Sequence, residues 1–292
     1  MTQSPDRTDY CYRHPKRQSY VLCQRCGRTI CPECQTQGAV GVVCPECMRE
    51  QRATAPRTKP EILRRATGRG APVVTYAIIA VCVLVYIVQF VTGGSNGVVS
   101  DALQYAGIYS YPTGSIVRVD QGAMLASFEP WRMFTSIFGH LSILHIALNM
   151  YTLWIFGILL EPLLGRVRYL LLFLLSGWAG SLGMMLIAPP NQGGLGASGA
   201  IFGMIAALLV IQRRLGGNIT QLLVLVGINL VIGFIPSFGI AWQAHLGGLI
   251  GGAIIGVTFV ETRALRRRRL QIVLLAALAA VFLVLSCIHL FV

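Results

Sequence analysis

Long apolar runs separated by short polar segments dominate the chain from residue 72 onward. A helix needs about 20 apolar residues to cross roughly 30 Å of hydrocarbon, at about 1.5 Å per residue. Seven runs approach this length, near residues 72–92, 140–160, 169–187, 198–213, 219–236, 240–260 and 270–291. The pattern predicts an all-α polytopic membrane protein with seven transmembrane helices.

The first 71 residues are polar and basic and show no such pattern. Met1–Tyr20 lacks the apolar segment of a secretory signal, so we expect no cleavable signal peptide and insertion directed by the first transmembrane helix. We predict a disordered N-terminus over residues 1–10, a small module over residues 11–48 and a basic linker over residues 49–71.

The composition changes the picture in one respect, because it excludes a single soluble domain. The chain is 54% hydrophobic and only 12% charged, with a mean hydropathy of +0.65, whereas a soluble surface needs more polar side chains. A net charge of +13 would suit nucleic acid, but the positive residues flank apolar runs and no nucleic-acid-binding motif accompanies them. We therefore expect no nucleic-acid partner.

The basic residues predict an orientation, since they cluster before or after alternate spans and so lie on one side of the membrane. The positive-inside rule makes that side cytoplasmic. The clusters are Arg64, Arg65 and Arg69; Arg166 and Arg168; Arg213 and Arg214; and Arg263 with Arg266, Arg267, Arg268 and Arg269. We expect an integral protein of a bacterial plasma membrane, with the N-terminus cytoplasmic and the C-terminus outside.

The long connection Gly93–Phe138 is then external and too long for a simple turn, so we expect it to pack at the membrane surface. Its Trp131-Arg132 pair is a candidate anchor at the interface. An ordinary interfacial tryptophan is the alternative interpretation.

Four ligand pairs, each with a two-residue spacer, occupy the N-terminal module. They are Cys11 and His14, Cys23 and Cys26, Cys31 and Cys34, and Cys44 and Cys47. This spacing lets both donors of a pair reach one tetrahedral ion, so eight donors suit two closed structural Zn²⁺ sites, one Cys₃His and one Cys₄. A disulfide framework is the alternative, but a cytoplasmic location and an odd number of cysteines disfavour it.

The pairing of these four ligand pairs cannot be derived from their spacing. In cross-braced modules the first pair joins the third and the second joins the fourth. A module of about 40 residues builds little core, so metal would supply its folding energy. The pattern resembles a B-box zinc finger, which implies a docking or structural role with a cytoplasmic protein as candidate partner.

Three polar side chains lie at one predicted depth within the spans. Ser198, His145 and His245 are each about 22–24 Å from the cytoplasmic end of their helix by residue count. That level is roughly 6–8 Å below the outer face. Polar side chains inside spans are costly, so each is a functional candidate.

The segment Ala188–Ala197 must dip into the membrane if the fourth span begins at Ser198, and irregular backbone there must be buried or line a wet cavity. Gly196-Ala197-Ser198-Gly199 is typical of a nucleophile turn, where small neighbours expose a hydroxyl beside free N–H groups. Plain helix packing through Gly199 is the alternative.

A base for Ser198 is offered by the sixth span, Ala244-His245-x-x-Gly248-x-x-x-Gly252, whose glycines allow close approach of the fourth. No acidic residue lies in a span at this level, which predicts a Ser-His dyad. His145 and Asn149 share one face of the second span and, with the Ser198 N–H, are candidates to hold an oxyanion.

Taken in order, these motifs resemble the rhomboid intramembrane serine proteases over residues 72–262. The motifs are Trp131-Arg132, His145 with Asn149, Glu161-x-x-x-Gly165, Gly196-x-Ser198-Gly199 and Ala244-His245-x-x-Gly248-x-x-x-Gly252. The resemblance implies a six-helix core, with residues 263–292 adding a basic loop and a seventh helix. It also implies that Phe202 packs on the His245 ring and that His140 lines the pocket.

The resemblance further implies cleavage of transmembrane helices near the outer leaflet, with substrates entering laterally beside the fifth span and no cofactor in catalysis. Two other functions are compatible with parts of the sequence. A catalytically inactive rhomboid-like adaptor would bind transmembrane helices, but this chain keeps Ser198, His245, His145 and Asn149 together. A transporter or proton channel is disfavoured because no inverted repeat and no intramembrane carboxylate is evident.

Overall fold

The computed structural model describes residues 9–38, 41–54, 71–120, 122–235 and 239–291, and it omits the Arg52 side chain. Most of the predicted disordered segment 1–10 and most of the predicted linker 49–71 lie outside these ranges, but Tyr10 belongs to a β-strand. The chain divides into two compact units, residues 1–60 and 61–292. The finer domain bounds stay predictions.

The N-terminal unit is built from short elements whose interior is mostly cysteine. Among its described residues, two antiparallel pairs, β1 with β2 and β3 with β4, accompany a 3-10 turn and one helix. Their bounds are β1 Tyr10–Cys11, β2 His14–Gln18, the turn Pro32–Cys34, β3 Thr36–Gln37, β4 Val42–Val43 and α1 Pro45–Thr54. Ile30 and Val43 are buried among the cysteines, so apolar packing alone supplies little core. The helix α1 continues past residue 48, where we predicted the module to end.

Within the described part of the second unit, seven helices of 14 residues or more correspond to the seven predicted runs. They are α2 Val73–Val91, α5 Ile143–Leu164, α6 Arg166–Ile187, α7 Ser198–Arg214, α8 Thr220–Gly233, α9 Trp242–Glu261 and α10 Arg268–Ser286. The short helices α3 Val98–Leu103 and α4 Arg132–Thr135 lie between α2 and α5, in the segment that we predicted to be external and call the external segment. Five are long and apolar enough to cross a membrane: α2, α5, α6, α9 and Leu265–Ser286, which joins the 3-10 turn Leu265–Arg267 to α10. The predicted all-α polytopic fold is confirmed.

Several predicted spans differ from the helices by two to five residues at the ends that we predicted to be outer. The second was predicted from residue 140, but α5 begins at Ile143 because the Ser142 hydroxyl accepts a hydrogen bond from His145 N at 3.2 Å and caps the helix. The last was predicted to residue 291, but α10 ends at Ser286. A 3-10 turn follows, and its His289 ring stacks on Tyr111 with ring centroids 4.1 Å apart.

The segment between α2 and α5 is folded into small elements. It contains the 3-10 turns Gly94–Asn96 and Gly107–Ser110, α3 Val98–Leu103, the hairpin of β5 Ile116–Val119 and β6 Gly122–Leu125, and α4 Arg132–Thr135. Buried Gln89 near the end of α2 donates to Ser100 Oγ at 2.8 Å. This bond ties the external segment to the first transmembrane helix.

The centre of the second unit is a three-helix core of α6, α7 and α9, whose contacts are lined by glycine. A side chain at Gly248 would overlap the carbonyl of Gly199, and one at Gly252 would overlap the carbonyl of Gly203. Small residues let helix backbones approach this closely. The predicted role of Gly248 and Gly252 in bringing α9 onto α7 agrees with this packing.

Candidate active site and metal centres

The two predicted catalytic residues face one another across the glycine-lined contact. Ser198 is the first residue of α7, and His245 lies in the first turn of α9. The His245 Nε2 and Ser198 Oγ atoms are 2.9 Å apart, a hydrogen-bond distance. The backbone of Gly199 makes this approach possible, because a Cβ there would lie 3.2 Å from the Ala244 carbonyl.

Phe202 orients the His245 ring. It follows Ser198 by one helical turn and stacks on the imidazole, with ring centroids 4.2 Å apart and an interplanar angle of 11°. His245 is only 7% exposed, so its ring has little freedom to rotate away from Ser198. This arrangement agrees with the packing that the family resemblance implied.

The other ring nitrogen of His245, Nδ1, has no hydrogen-bond partner among the described residues. The buried or half-buried carboxylates are engaged elsewhere: Glu129 with Arg132 and Glu161 with the start of α2. Glu261 pairs with an arginine at the far end of α9. None of these carboxylates contacts the Nδ1 atom of His245 among the described residues.

A left-handed glycine brings His145 next to the nucleophile. Gly196 has φ 141°, a conformation open to glycine, and a Cβ there would meet His145 Cε1 at 2.8 Å and Nε2 at 2.9 Å. Gly196 N donates to the Ser136 carbonyl at 2.9 Å, which fixes the turn. Asn149 lies one turn below His145 and donates through Nδ2 to the His145 carbonyl at 2.9 Å.

A cavity of about 470 Å³ opens beside the Ser198–His245 pair. His145 and Asn149 line it together with the catalytic pair, as predicted. It continues between α5 and α8, where it is bordered by apolar side chains and by two polar ones, Thr152 and Asn229. The site is therefore open toward the gap between these two helices.

The segment Ala188–Ala197 is irregular backbone held by the external segment. Gly194 exchanges two backbone hydrogen bonds with Tyr105, at 2.8 and 3.1 Å, and Ile108 N donates to the Pro190 carbonyl at 2.8 Å. Gly194 and Leu195 also border the cavity. Both conditions for irregular backbone at this depth, burial by protein and contact with a cavity, are met.

His140 was predicted to line the pocket, but it is not among the residues that border the cavity. It is 1% exposed and packs edge-on behind His145, with ring centroids 5.2 Å apart. Its backbone N–H donates to Gln89 Oε1 at 2.9 Å. Gln89 was not predicted to be a site residue, although a lone glutamine in an apolar run is a usable signal.

Trp131 and Arg132, which we predicted to form one anchor at the interface, differ in their burial. Trp131 is 57% exposed, whereas Arg132 is buried, with Nε donating to Glu129 Oε2 at 2.6 Å and Nη1 donating to the Asp101 carbonyl in α3. Partial burial of Glu129 favours a higher pKa of its carboxyl. Hydrogen bonds from a neighbouring serine and from Arg132 outweigh this effect and hold that pKa below its usual value. Arg132 thus fastens the external segment rather than contacting lipid.

Glu161 anchors α5 to α2. Its carboxylate accepts from Val74 N at 2.9 Å and from the N–H and hydroxyl of Thr75, both at 2.8 Å. These donors belong to the first turn of α2, where N–H groups lack helical partners and negative charge is favoured. Gly165, with φ 82°, then turns the chain from α5 into α6.

The eight predicted metal ligands form two groups in the N-terminal unit. One contains Cys11, His14, Cys31 and Cys34, and the other contains Cys23, Cys26, Cys44 and Cys47, with the ligand atoms of each group within 4.8 Å of one another. The first pair thus joins the third, and the second joins the fourth. All nine cysteines of the chain are described, and none forms a disulfide.

The distances fit tetrahedral coordination. Bonds of about 2.3 Å to sulfur and about 2.0 Å to nitrogen place neighbouring ligand atoms roughly 3.5–3.8 Å apart. His14 Nδ1 lies 3.9, 3.3 and 3.4 Å from the sulfurs of Cys11, Cys31 and Cys34. Cys26 Sγ and Cys44 Sγ are 3.8 Å apart. Each group could therefore hold one metal ion.

Hydrogen-bond donors surround the second group. Cys44 N donates to Cys23 Sγ at 3.1 Å, and Arg28 Nε donates to Cys26 Sγ at 3.2 Å. The Arg28 guanidinium lowers the pKa of the Cys26 thiol. Such contacts favour thiolates, which are the form that binds metal.

The fold and site define a helical integral membrane protein with a buried serine–histidine contact beside a cavity. The family model of the rhomboid domain matches residues 127–262 of this chain. The rhomboid protease GluP of Bacillus subtilis is 35% identical over 224 residues, which are 73% of this chain and 40% of GluP. The rhomboid protein YdcA of the same species is 31% identical over 147 residues, 49% of this chain and 73% of YdcA.

A plant protein, RHOMBOID-like protein 1 of Arabidopsis thaliana, is 35% identical over 151 residues, 49% of this chain and 38% of that protein. The chain spans less than half the length of GluP and of the plant protein. The chain belongs to the rhomboid family, whose named members include rhomboid proteases.

Proposed function

We propose that the protein is an intramembrane serine endopeptidase that cleaves transmembrane helices near the outer leaflet through a Ser198–His245 dyad. The observation that carries the proposal is the 2.9 Å contact between His245 Nε2 and Ser198 Oγ, made under the stacked Phe202 ring. A serine hydroxyl is a weak nucleophile, and a positioned imidazole is the base suited to activate it near neutral pH.

In the acylation step, Ser198 Oγ attacks the scissile carbonyl while His245 Nε2 takes the hydroxyl proton. The oxyanion that forms is held by the Ser198 N–H and by the side chains of His145 and Asn149. Removing one such donor costs about 2.7–4 kcal/mol of transition-state stabilisation. His245 then gives its proton to the leaving amine, and the first product departs.

Deacylation repeats these steps with water. His245 Nε2 takes a proton from a water molecule, the hydroxide attacks the acyl ester, and the proton returns to Ser198 Oγ as the second product leaves. The cavity beside the dyad supplies the space for this water at a depth where lipid would otherwise exclude it.

Substrates enter between α5 and α8 in this proposal. The cavity opens toward that gap, and α8 is loosely attached, since Val226 and Gly233 are its buried residues out of 14. A substrate helix must unwind before its carbonyl can be attacked, so segments with helix-destabilising residues are the expected substrates.

The experiment that tests this function is cleavage of a reporter transmembrane substrate in liposomes by the purified protein. The wild type is expected to cleave it, and Ser198→Ala and His245→Asn are expected to lose cleavage by about 10⁴-fold or more. Cleavage that persists in Ser198→Ala would overturn the proposal. Substrate capture without cleavage in the wild type would favour the adaptor function.

For the N-terminal unit we infer two structural Zn²⁺ ions, one in each ligand group, and a cytoplasmic protein as partner. Because all four positions of each site carry a protein ligand, the ions would stabilise the fold of this unit and take no part in catalysis. Metal analysis is expected to find two Zn²⁺ per chain, falling by about one in Cys23→Ser/Cys26→Ser. The matched control is Cys287→Ser, outside both groups; an unchanged content in the double variant would refute the assignment.

A further inference from the structure

The part of the cavity between α5 and α8 contains two polar side chains that the dyad chemistry does not use. Thr152 of α5 and Asn229 of α8 line it from opposite helices, among apolar neighbours that include Leu148 and Leu225. A polar side chain within a membrane span costs free energy, so each such residue is a candidate for a function.

Both side chains use one donor within their own helix and keep acceptors free. Thr152 Oγ1 donates to the Leu148 carbonyl at 2.8 Å, and Asn229 Nδ2 donates to the Leu225 carbonyl at 2.8 Å. The lone pairs of Thr152 Oγ1, together with Asn229 Oδ1 and its second N–H, have no other partner among the described residues. The pair therefore offers mainly acceptors.

An unwound transmembrane substrate lacks acceptors, because its backbone N–H groups have left their helical partners and find no water in the bilayer. Each such group costs free energy until it is paired. The free acceptor atoms of Thr152 and Asn229 could pair with these N–H groups of the substrate. Apolar side chains around the Thr152–Asn229 pair would accommodate the substrate side chains.

The spacing along α5 indicates which substrate residue is contacted. Thr152 follows His145 by seven positions, which is about 10 Å along a helix. An extended strand covers that distance in about three residues. In the predicted orientation, Thr152 is the deeper of the two residues.

Resting on the proposed protease function, we propose that Thr152 and Asn229 accept hydrogen bonds from the substrate backbone about three residues from the scissile bond, on the side that faces the bilayer centre. They are specificity-determining residues that favour segments able to unwind over that length. They take no part in the proton transfers at Ser198.

The test is an ester scan of a synthetic transmembrane substrate in liposomes, in which single backbone N–H groups at the second to fifth residues past the scissile bond are replaced by oxygen. For the wild type, one position near the third is expected to lower kcat/KM by about 2- to 12-fold. Thr152→Val/Asn229→Leu is expected to lower kcat/KM for the all-amide substrate similarly and to lose sensitivity to the ester.

The matched control is Thr258→Val in α9. Its hydroxyl makes the same intrahelical bond, to the Ile254 carbonyl at 2.9 Å, but it does not border the cavity. This variant is expected to keep the wild-type ester profile. A flat ester profile in the wild type, or an unchanged profile in the double variant, would overturn the inference.

Labelling of Ser198 by a fluorophosphonate separates this inference from the function on which it rests. Labelling with cleavage but a flat ester profile refutes the role of the pair alone. Loss of both labelling and cleavage in the wild type refutes the protease function, and the inference with it.

Discussion

The two sides of the membrane unit are packed in opposite ways. On the closed side, formed by α6, α7 and α9, eleven of the 17 residues of α7 are buried and glycines bring the backbones into contact. On the open side, formed by α5 and α8, two of the 14 residues of α8 are buried and a cavity of about 470 Å³ separates the helices. The dyad sits where they meet, so one side can fix its geometry while the other admits a substrate.

Breaking the closed side has the largest expected effect. In Gly248→Val the new side chain would overlap the Gly199 carbonyl, next to the nucleophile. Because backbone cannot yield as a flexible side chain does, we expect a loss of stability at or above about 3 kcal/mol and loss of cleavage. Denaturant titration in detergent measures it; a stable, active Gly248→Val protein would contradict the close packing.

The open side should be anchored through Glu161, near the C-terminal end of α5. The N–H groups of Val74 and Thr75, in the first turn of α2, donate to the charged Glu161 carboxylate of α5. Glu161→Gln removes this charge and can turn an amide N–H₂ toward the same two donors. We expect a destabilisation of about 1.5–3 kcal/mol. Thermal unfolding of the two proteins checks this, and an unchanged midpoint would mean that α5 is held by other contacts.

Phe202 contacts the dyad from the closed side. Phe202→Leu keeps an apolar side chain but loses the stacking on His245, worth about 0.5–1.5 kcal/mol. We expect the free energy of unfolding to fall by a similar amount and kcat/KM to fall by about 2- to 12-fold. Equal kcat/KM values for variant and wild type would show that the ring needs no support.

Trimming the lipid-facing surface of the open side should have the smallest effect. Val231 in α8 is 65% exposed, so Val231→Ala is expected to change stability by no more than about 0.5 kcal/mol. The same titration used for Gly248→Val provides the measurement. A loss comparable to that of Gly248→Val would contradict the proposed difference between the two sides.

The transmembrane helices could be predicted from the sequence to within a few residues, because long apolar runs carry a strong signal. The predicted span 72–92 corresponds to the helix Val73–Val91, and the predicted span 198–213 corresponds to the helix Ser198–Arg214. The approach of Ser198 and His245 was also predictable, since the glycines of both motifs permit it.

Short elements carry no comparable signal. The hairpin of β5 and β6 was not predicted, and Arg132 was assigned to the interface although it is buried against the external segment. The grouping of the cysteines was likewise open, because four ligand pairs with the same spacer allow several pairings. Thr152 and Asn229 were missed because their significance depends on a cavity between two helices.

The most direct measurement of the central claim is covalent labelling of the purified wild-type protein with a fluorophosphonate, followed by tandem mass spectrometry of the labelled peptide. We expect a single adduct on Ser198, absent in Ser198→Ala and strongly reduced in His245→Gln, whose amide cannot take the proton. An adduct on another residue, or labelling that does not depend on His245, would contradict it.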